Sequence, residues 1–153
     1  MKQLIEYRRL LVERLEASVR EFRAALQSAA DAAPRSDGWN VHQIAVHARD
    51  VEKLVYGSRI RRSLAEENPL FENFDGDAWM AAHYDSNEPL ASVLDELTAS
   101  ALQTVALLKE LDADGWNRPS QHQTYGSGFT TQTWAERSLA HIEEHLATVK
   151  IPG

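Results

Sequence analysis

The stretch Asn40–Ala65, NVHQIAVHARDVEKLVYGSRIRRSLA, decides the architecture. The Asn40 side chain is of a type that caps a helix N-terminus, and Gln43 stands three positions on, where a reciprocal bond closes a capping box. Ile44, Ala48, Val51, Val55 and Ser58 then recur on one side of a helix. Such spacings of three and four follow the 3.6-residue helical period. Gly57 weakens that helix by about 1 kcal/mol relative to Ala, but its neighbours keep the pattern. The spacing predicts one long helix reaching about Ala65.

Three further stretches of similar length flank it. Residues 2–31 carry Leu4, Leu11, Leu15, Val19, Phe22 and Leu26 on one face. A third helix starts with Pro89 in its first turn, where a missing N–H costs nothing, and continues through Leu90, Val93, Leu94, Leu97, Ala101, Val105 and Leu108. The fourth is expected from Thr133, with Glu136 completing an S/T-x-x-E signature; Ala135, Leu139, Ile142, Leu146 and Val149 form its apolar stripe. Pro34, Gly38, Pro69, Gly115, Pro119, Gly126 and Gly128 fall between these stretches and mark the loops. A short extra helix is expected in GDAWMAAHY (residues 76–84), and no stretch shows the period-two alternation of a strand. The expected fold is all-α: one domain, residues 1–153, built as a four-helix bundle with a long helix 2–helix 3 connection.

Length and composition agree. A chain of 153 residues with 43% hydrophobic residues can bury a core without staples, so a metal here is expected to serve function, not folding. The formal net charge of −7 argues against a nucleic-acid partner. The densest basic run, SRIRRS with Arg59, Arg61 and Arg62, reads as a solvated helix end. Without cysteine there is no disulfide, thiolate metal site or cysteine nucleophile. The N-terminal MKQLIEYRRLLVERLE is too charged for a signal peptide or membrane span. A cytoplasmic protein with no membrane partner is the simplest expectation.

The chemistry is carried by histidines. His141 and His145 lie four apart in LAHIEEHLATV, on one helical face, so both imidazoles can converge on one ion. The spacing alone leaves two readings open, a metal pair or exposed polar residues. Helix geometry sets the pair on the shoulder of the buried stripe. His47 shares the arc of Ile44, Leu54 and Ser58 and points inward, as a core imidazole with one hydrogen bond or as a third ligand. Three histidines on two helices would leave coordination positions open, as catalytic sites require. His42 is expected to face solvent. His83 and His122 are candidates to approach the site from the connections. Asp50, Glu52, Glu143 and Glu144 are candidates to orient an imidazole. No Ser-His-Asp order, glycine-rich phosphate loop or HExxH motif names a reaction, and the catalytic residues stay unknown.

GWNVHQIAVHARDVEKLV resembles the helix 2 signature of the DinB/YfiT-like superfamily, with Trp39 eight residues before His47. HIEEHLATV resembles that family's closing motif, and RIRRSLAEENPLFENFDGDAW and HQTYGSGFTTQTWAE resemble its middle connection and the approach to its last helix. The position after the first closing histidine, Asp in many members, is Ile142 here. The resemblance implies a DinB-like bundle of up-up-down-down topology, a divalent metal (nickel or zinc) on His47, His141 and His145, and a homodimer. It further implies a metal-dependent enzyme acting on small molecules, a hydrolase or an S-transferase using a low-molecular-weight thiol such as bacillithiol or mycothiol as cosubstrate. The alternative is a non-enzymatic, stress-related dimeric bundle that binds a metal or ligand.

Overall fold

A computed structural model describes residues 1–31 and 38–150; the Pro34 break lies outside them. The first helix, α1 (Lys2–Ser28), buries Leu11, Leu15, Val19, Phe22 and Leu26 along one stripe. Leu4 does not join them. It is 38% exposed, because the first turns of α1 border an open groove beside the end of another helix.

The second rod has three segments: α2 (Val41–Val51), a π-helical turn (Glu52–Tyr56) and α3 (Gly57–Ala65). The capping box is present: Asn40 Oδ1 accepts from the Gln43 N–H at 2.8 Å, and Gln43 Oε1 accepts from the Asn40 N–H at 2.9 Å. Asn40→Ala is expected to cost about 1 kcal/mol, read by thermal unfolding, since one helix-terminal donor loses its acceptor. The rod reaches Ala65 as expected, but the π turn shifts the phase of everything beyond it. Leu54 is 46% exposed, whereas Glu52, Arg59, Ile60 and Ser63 are buried.

The long connection carries β1 (Leu70–Phe71) and α4 (Gly76–His83), the latter capped by Asp75. Next come α5 (Leu90–Lys109), entered through Pro89, and α6 (Ala113–Trp116). The hairpin β2 (Pro119–His122) and β3 (Gly126–Thr130) leads into α7 (Thr131–Lys150). The three strands form one sheet of order β1-β2-β3, with β1 parallel and β2 antiparallel to their partners. This sheet amends the strandless expectation; strands of two to five residues are too short to display alternation. Gly126 turns the hairpin at a φ of 80°, a conformation that suits glycine. The last helix starts two residues earlier than its sequence signature. Thr130 and Thr133 cap each other reciprocally (3.1 and 3.4 Å), and Glu136 instead accepts from the Tyr7 hydroxyl of α1.

The four rods are α1, α2–α3, α5 and α7; α1 and α2–α3 each pack against α5 and α7. The four-helix bundle with a long second connection is as expected. Pairs between rods set the directions. Tyr7–Glu136, Arg14–Glu143 and Glu21–Lys150 advance together, so α1 and α7 are parallel. Glu16–Lys109 and Arg23–Asp95 make α5 antiparallel to α1. Glu52–Ser138 and His47–His141 make α2 antiparallel to α7. In chain order the rods run up, down, down, up, in place of up-up-down-down. The long connection returns the chain along the rod, so α2–α3 and α5 start from the same end. Among the described residues no helix is long and apolar enough to cross a membrane.

Candidate metal centre

α2 and α7 face each other across the bundle, and this brings together His47, His141 and His145. His141 and His145 stand one above the other because residues four apart share a helical face. The Nε2 of His141 is the hub: it lies 3.1 Å from His47 Nε2 and 3.1 Å from His145 Nε2. The rings stand edge to face, at interplanar angles of 61°, 74° and 78°. An imidazole Nε2 has one lone pair or one proton, so the His141 nitrogen cannot satisfy both neighbours by hydrogen bonding alone. Ligand nitrogens bonded at 2.0–2.1 Å to a tetrahedral ion sit about 3.3 Å apart, and about 2.9 Å apart at right angles. Both spacings from His141 fall between the two, and all three ligand atoms lie within 4.8 Å of one another, so the donor set fits a divalent ion.

The electrostatics agree. Burial, reinforced by the neighbouring His145, holds the pKa of His47 down to about 4. Burial and the other two imidazoles hold His141 down to about 3, and burial lowers His145 as well. All three are neutral at pH 7, with lone pairs available to a cation. Linkage fixes a sign. As pH falls below about 6.5 the unfolded chain takes up protons at these histidines before the folded one does. Metal-free protein is therefore expected to lose stability as pH falls toward 4, at up to about 1.4 kcal/mol per pH unit for each histidine. Glu52 opposes this. Burial pushes its carboxyl up to about 7, so protonation of folded Glu52 stabilises as pH falls from 7 to its ordinary 4.5. With several histidines against one carboxyl, denaturation midpoints at pH 6.5 and 5 are expected to fall with pH.

The surroundings are built from neighbouring elements. Trp39 packs on His47 at 4.6 Å between ring centroids, and the Tyr56 ring lies 5.7 Å from His141. Gly76 opens α4 against His47, where a Cβ would stand 3.1 Å from His47 Cε1. A cavity of about 410 Å³ lined by Trp39, Gln43, Asp77, Met80, Ala81 and Tyr84 opens beside them.

A family model described as the DinB superfamily matches residues 14–149. The chain belongs to the DinB superfamily. Among solved structures this DinB chain is similar to YfiT from Bacillus subtilis, described as "a probable metal-dependent hydrolase with an unusual four-helix bundle topology". That likeness has a TM-score of 0.72 at 24% identity and covers 94% of this chain and 87% of YfiT, so it shows a common fold. None of the curated proteins matches the chain.

Other histidines of the DinB chain lie elsewhere. His42 does not face solvent: its Nε2 is 2.7 Å from the Glu88 carbonyl and its Nδ1 2.6 Å from the Tyr84 hydroxyl, so it ties α2 to the long connection. His83 stacks on Trp79 at 3.7 Å. His122 is buried in the hairpin, where its Nδ1 accepts from the N–H groups of Thr124 (3.0 Å) and Tyr125 (3.3 Å). Neither His83 nor His122 joins the cluster. Of the carboxylates, Asp50 accepts from Arg49 and Trp79, and Glu143 pairs with Arg14. Glu52, 1% exposed, accepts from the Ser138 hydroxyl (2.8 and 3.0 Å). No carboxylate among the described residues bonds the three imidazoles, and His141 Nδ1 is buried without a partner. Tyr56 and Gly76 are neighbours that sequence patterning missed. The π turn that aims Tyr56 has no periodic signature, and the Gly76 contact is made by the long connection.

Proposed function

We propose that this DinB chain is a metal-dependent enzyme acting on a small molecule, in which His47, His141 and His145 hold a zinc or nickel ion. The observation that carries this reading is the convergence of three neutral Nε2 atoms from two helices. A divalent ion there would lower the pKa of a bound water or thiol, making an anionic nucleophile available at neutral pH. Three protein ligands leave positions open for it. The protein's own part is to fix the rings: Trp39 and Gly76 confine His47, and α7 stacks His141 under His145. Their low pKa values keep a proton from competing for the lone pairs.

The reaction is proposed as hydrolysis or thiol-dependent S-transfer. The absence of cysteine fits a sulfur supplied by a cosubstrate, and the description of YfiT as a probable hydrolase favours water. We further propose one domain over residues 1–153, a cytoplasmic location, no nucleic-acid partner and a homodimer. An apolar groove of about 660 Å³ between α1 and α5, lined by Ile5, Val12, Leu108 and Trp116 among others, is a face that a second copy could cover.

The test is a purified, zinc-loaded protein assayed for ester hydrolysis and for conjugation of bacillithiol or mycothiol to an electrophile. Turnover that is lost in His141→Ala supports the enzyme. Stoichiometric zinc without turnover in either assay contradicts it and leaves a binding module.

A further inference from the structure

Near the histidine cluster, α3 and α7 carry two arginines against the Trp134 ring that no carboxylate pairs with among the described residues. Arg59 is buried at 9% exposure. Its guanidinium lies 4.7 Å from the centroid of the Trp134 ring and 5.7 Å from that of Phe71. Its hydrogen bond runs from Nη2 to the Glu72 carbonyl at 2.9 Å, using one of five donors. Arg137, exposed on α7 one turn before His141, lies 5.5 Å from the Phe129 ring and 6.0 Å from the same Trp134 ring. Compare Arg49, also buried, which pairs with Asp50 and Glu88.

Tyr56 links this pair to the cluster. Its ring is 5.7 Å from His141, and both guanidinium charges act on its phenol. Its hydroxyl is a hydrogen-bond donor to an anion. Burial holds Arg59 below the usual guanidinium range, and the Arg137 charge adds to it. A desolvated cation next to a second cation is unfavourable unless an anion joins them. Guanidiniums match carboxylate and phosphate oxygens bidentately.

We propose that Arg59, Arg137 and the Tyr56 hydroxyl form a subsite for the carboxylate or phosphate group of the small-molecule substrate. The proposal deepens the functional reading above and rests on it for the word substrate. Arg137 and His141 share a helical face one turn apart, about 5–6 Å between Cβ atoms. A substrate a few bonds long thus has its anionic group at the arginines and its reacting atom at the histidines.

The test titrates benzoate, phenyl phosphate and neutral benzyl alcohol into zinc-loaded protein by calorimetry, at constant ionic strength. Wild type should bind at least one anion and not the alcohol; the tighter anion identifies the group. Arg137→Gln, at an exposed position that should not disturb folding, should weaken that anion about tenfold or more with zinc content unchanged. Arg59→Lys keeps the charge without the fork and should weaken it as well. Equal anion binding by wild type and Arg137→Gln, or no anion binding by wild type, overturns the subsite. If the histidines hold no zinc, that appears separately as zero stoichiometry. The anions are then titrated into metal-free protein, where the arginine contrast decides the subsite alone.

Discussion

His141→Ala is expected to lower zinc affinity by more than about 100-fold while leaving a folded helical protein. Residues that merely orient a metal ligand are worth 10–100-fold, and His141 is expected to exceed them because its Nε2 is 3.1 Å from both other nitrogens. Without it, two imidazoles on different helices remain, too few to close a shell around zinc. The fold should survive, because the side chain contributes no hydrogen bond outside the cluster and its Nδ1 is unpartnered. Competition against a chromophoric zinc chelator gives the affinity, and circular dichroism gives the fold. An unchanged affinity, or a metal-free variant that no longer folds, would mark His141 as a packing residue. Wild-type affinity should also fall as pH drops below 6.5, since protonation competes with the metal.

Trp134→Ala is expected to give the largest loss of stability, about 3–5 kcal/mol, or roughly 10 °C in unfolding midpoint for a chain of this length. Trp134 is 1% exposed and ties the sheet to the bundle. It stacks on Phe129 at 4.8 Å, meets Phe71 edge-on at 5.7 Å and donates from Nε1 to Ser120 Oγ at 2.9 Å. Truncation opens a cavity, leaves the buried Ser120 hydroxyl without its donor and removes the ring under Arg59. Urea denaturation measures the loss. A value under about 1 kcal/mol would show that sheet and bundle are held together by other contacts.

The helical rods were legible because burying one face imposes a period that the sequence repeats. Leu15, Val19, Phe22 and Leu26 on α1, and Val93, Leu97, Ala101, Val105 and Leu108 on α5, are buried where that period places them. Asn40 and Gln43 announced the start of α2, since a cap is a local bond between near neighbours. The pairing of His141 and His145 was readable for the same reason. His47 was readable as inward-facing, and its meeting with α7 followed from the family resemblance.

What escaped reading depends on contacts between distant segments. The pairing of Phe71 with His122 builds the sheet and leaves no trace in either short segment. Arg59, expected at a solvated end, is buried against the Trp134 ring, while Leu54, expected on the inner arc, is exposed. His42 looked solvent-facing on its own helix, yet the long connection returns to cover it. Helix directions escaped too, because amphipathic stripes say which face is buried but not which way a rod runs.

The central claim is that three imidazoles grip one ion. Anomalous diffraction at the zinc edge, from crystals grown with equimolar zinc, tests it most directly. The expected result is a single strong peak about 2.0–2.1 Å from the Nε2 atoms of His47, His141 and His145. Rings turned apart with no peak between them, or zinc bound only elsewhere on the surface, would contradict it.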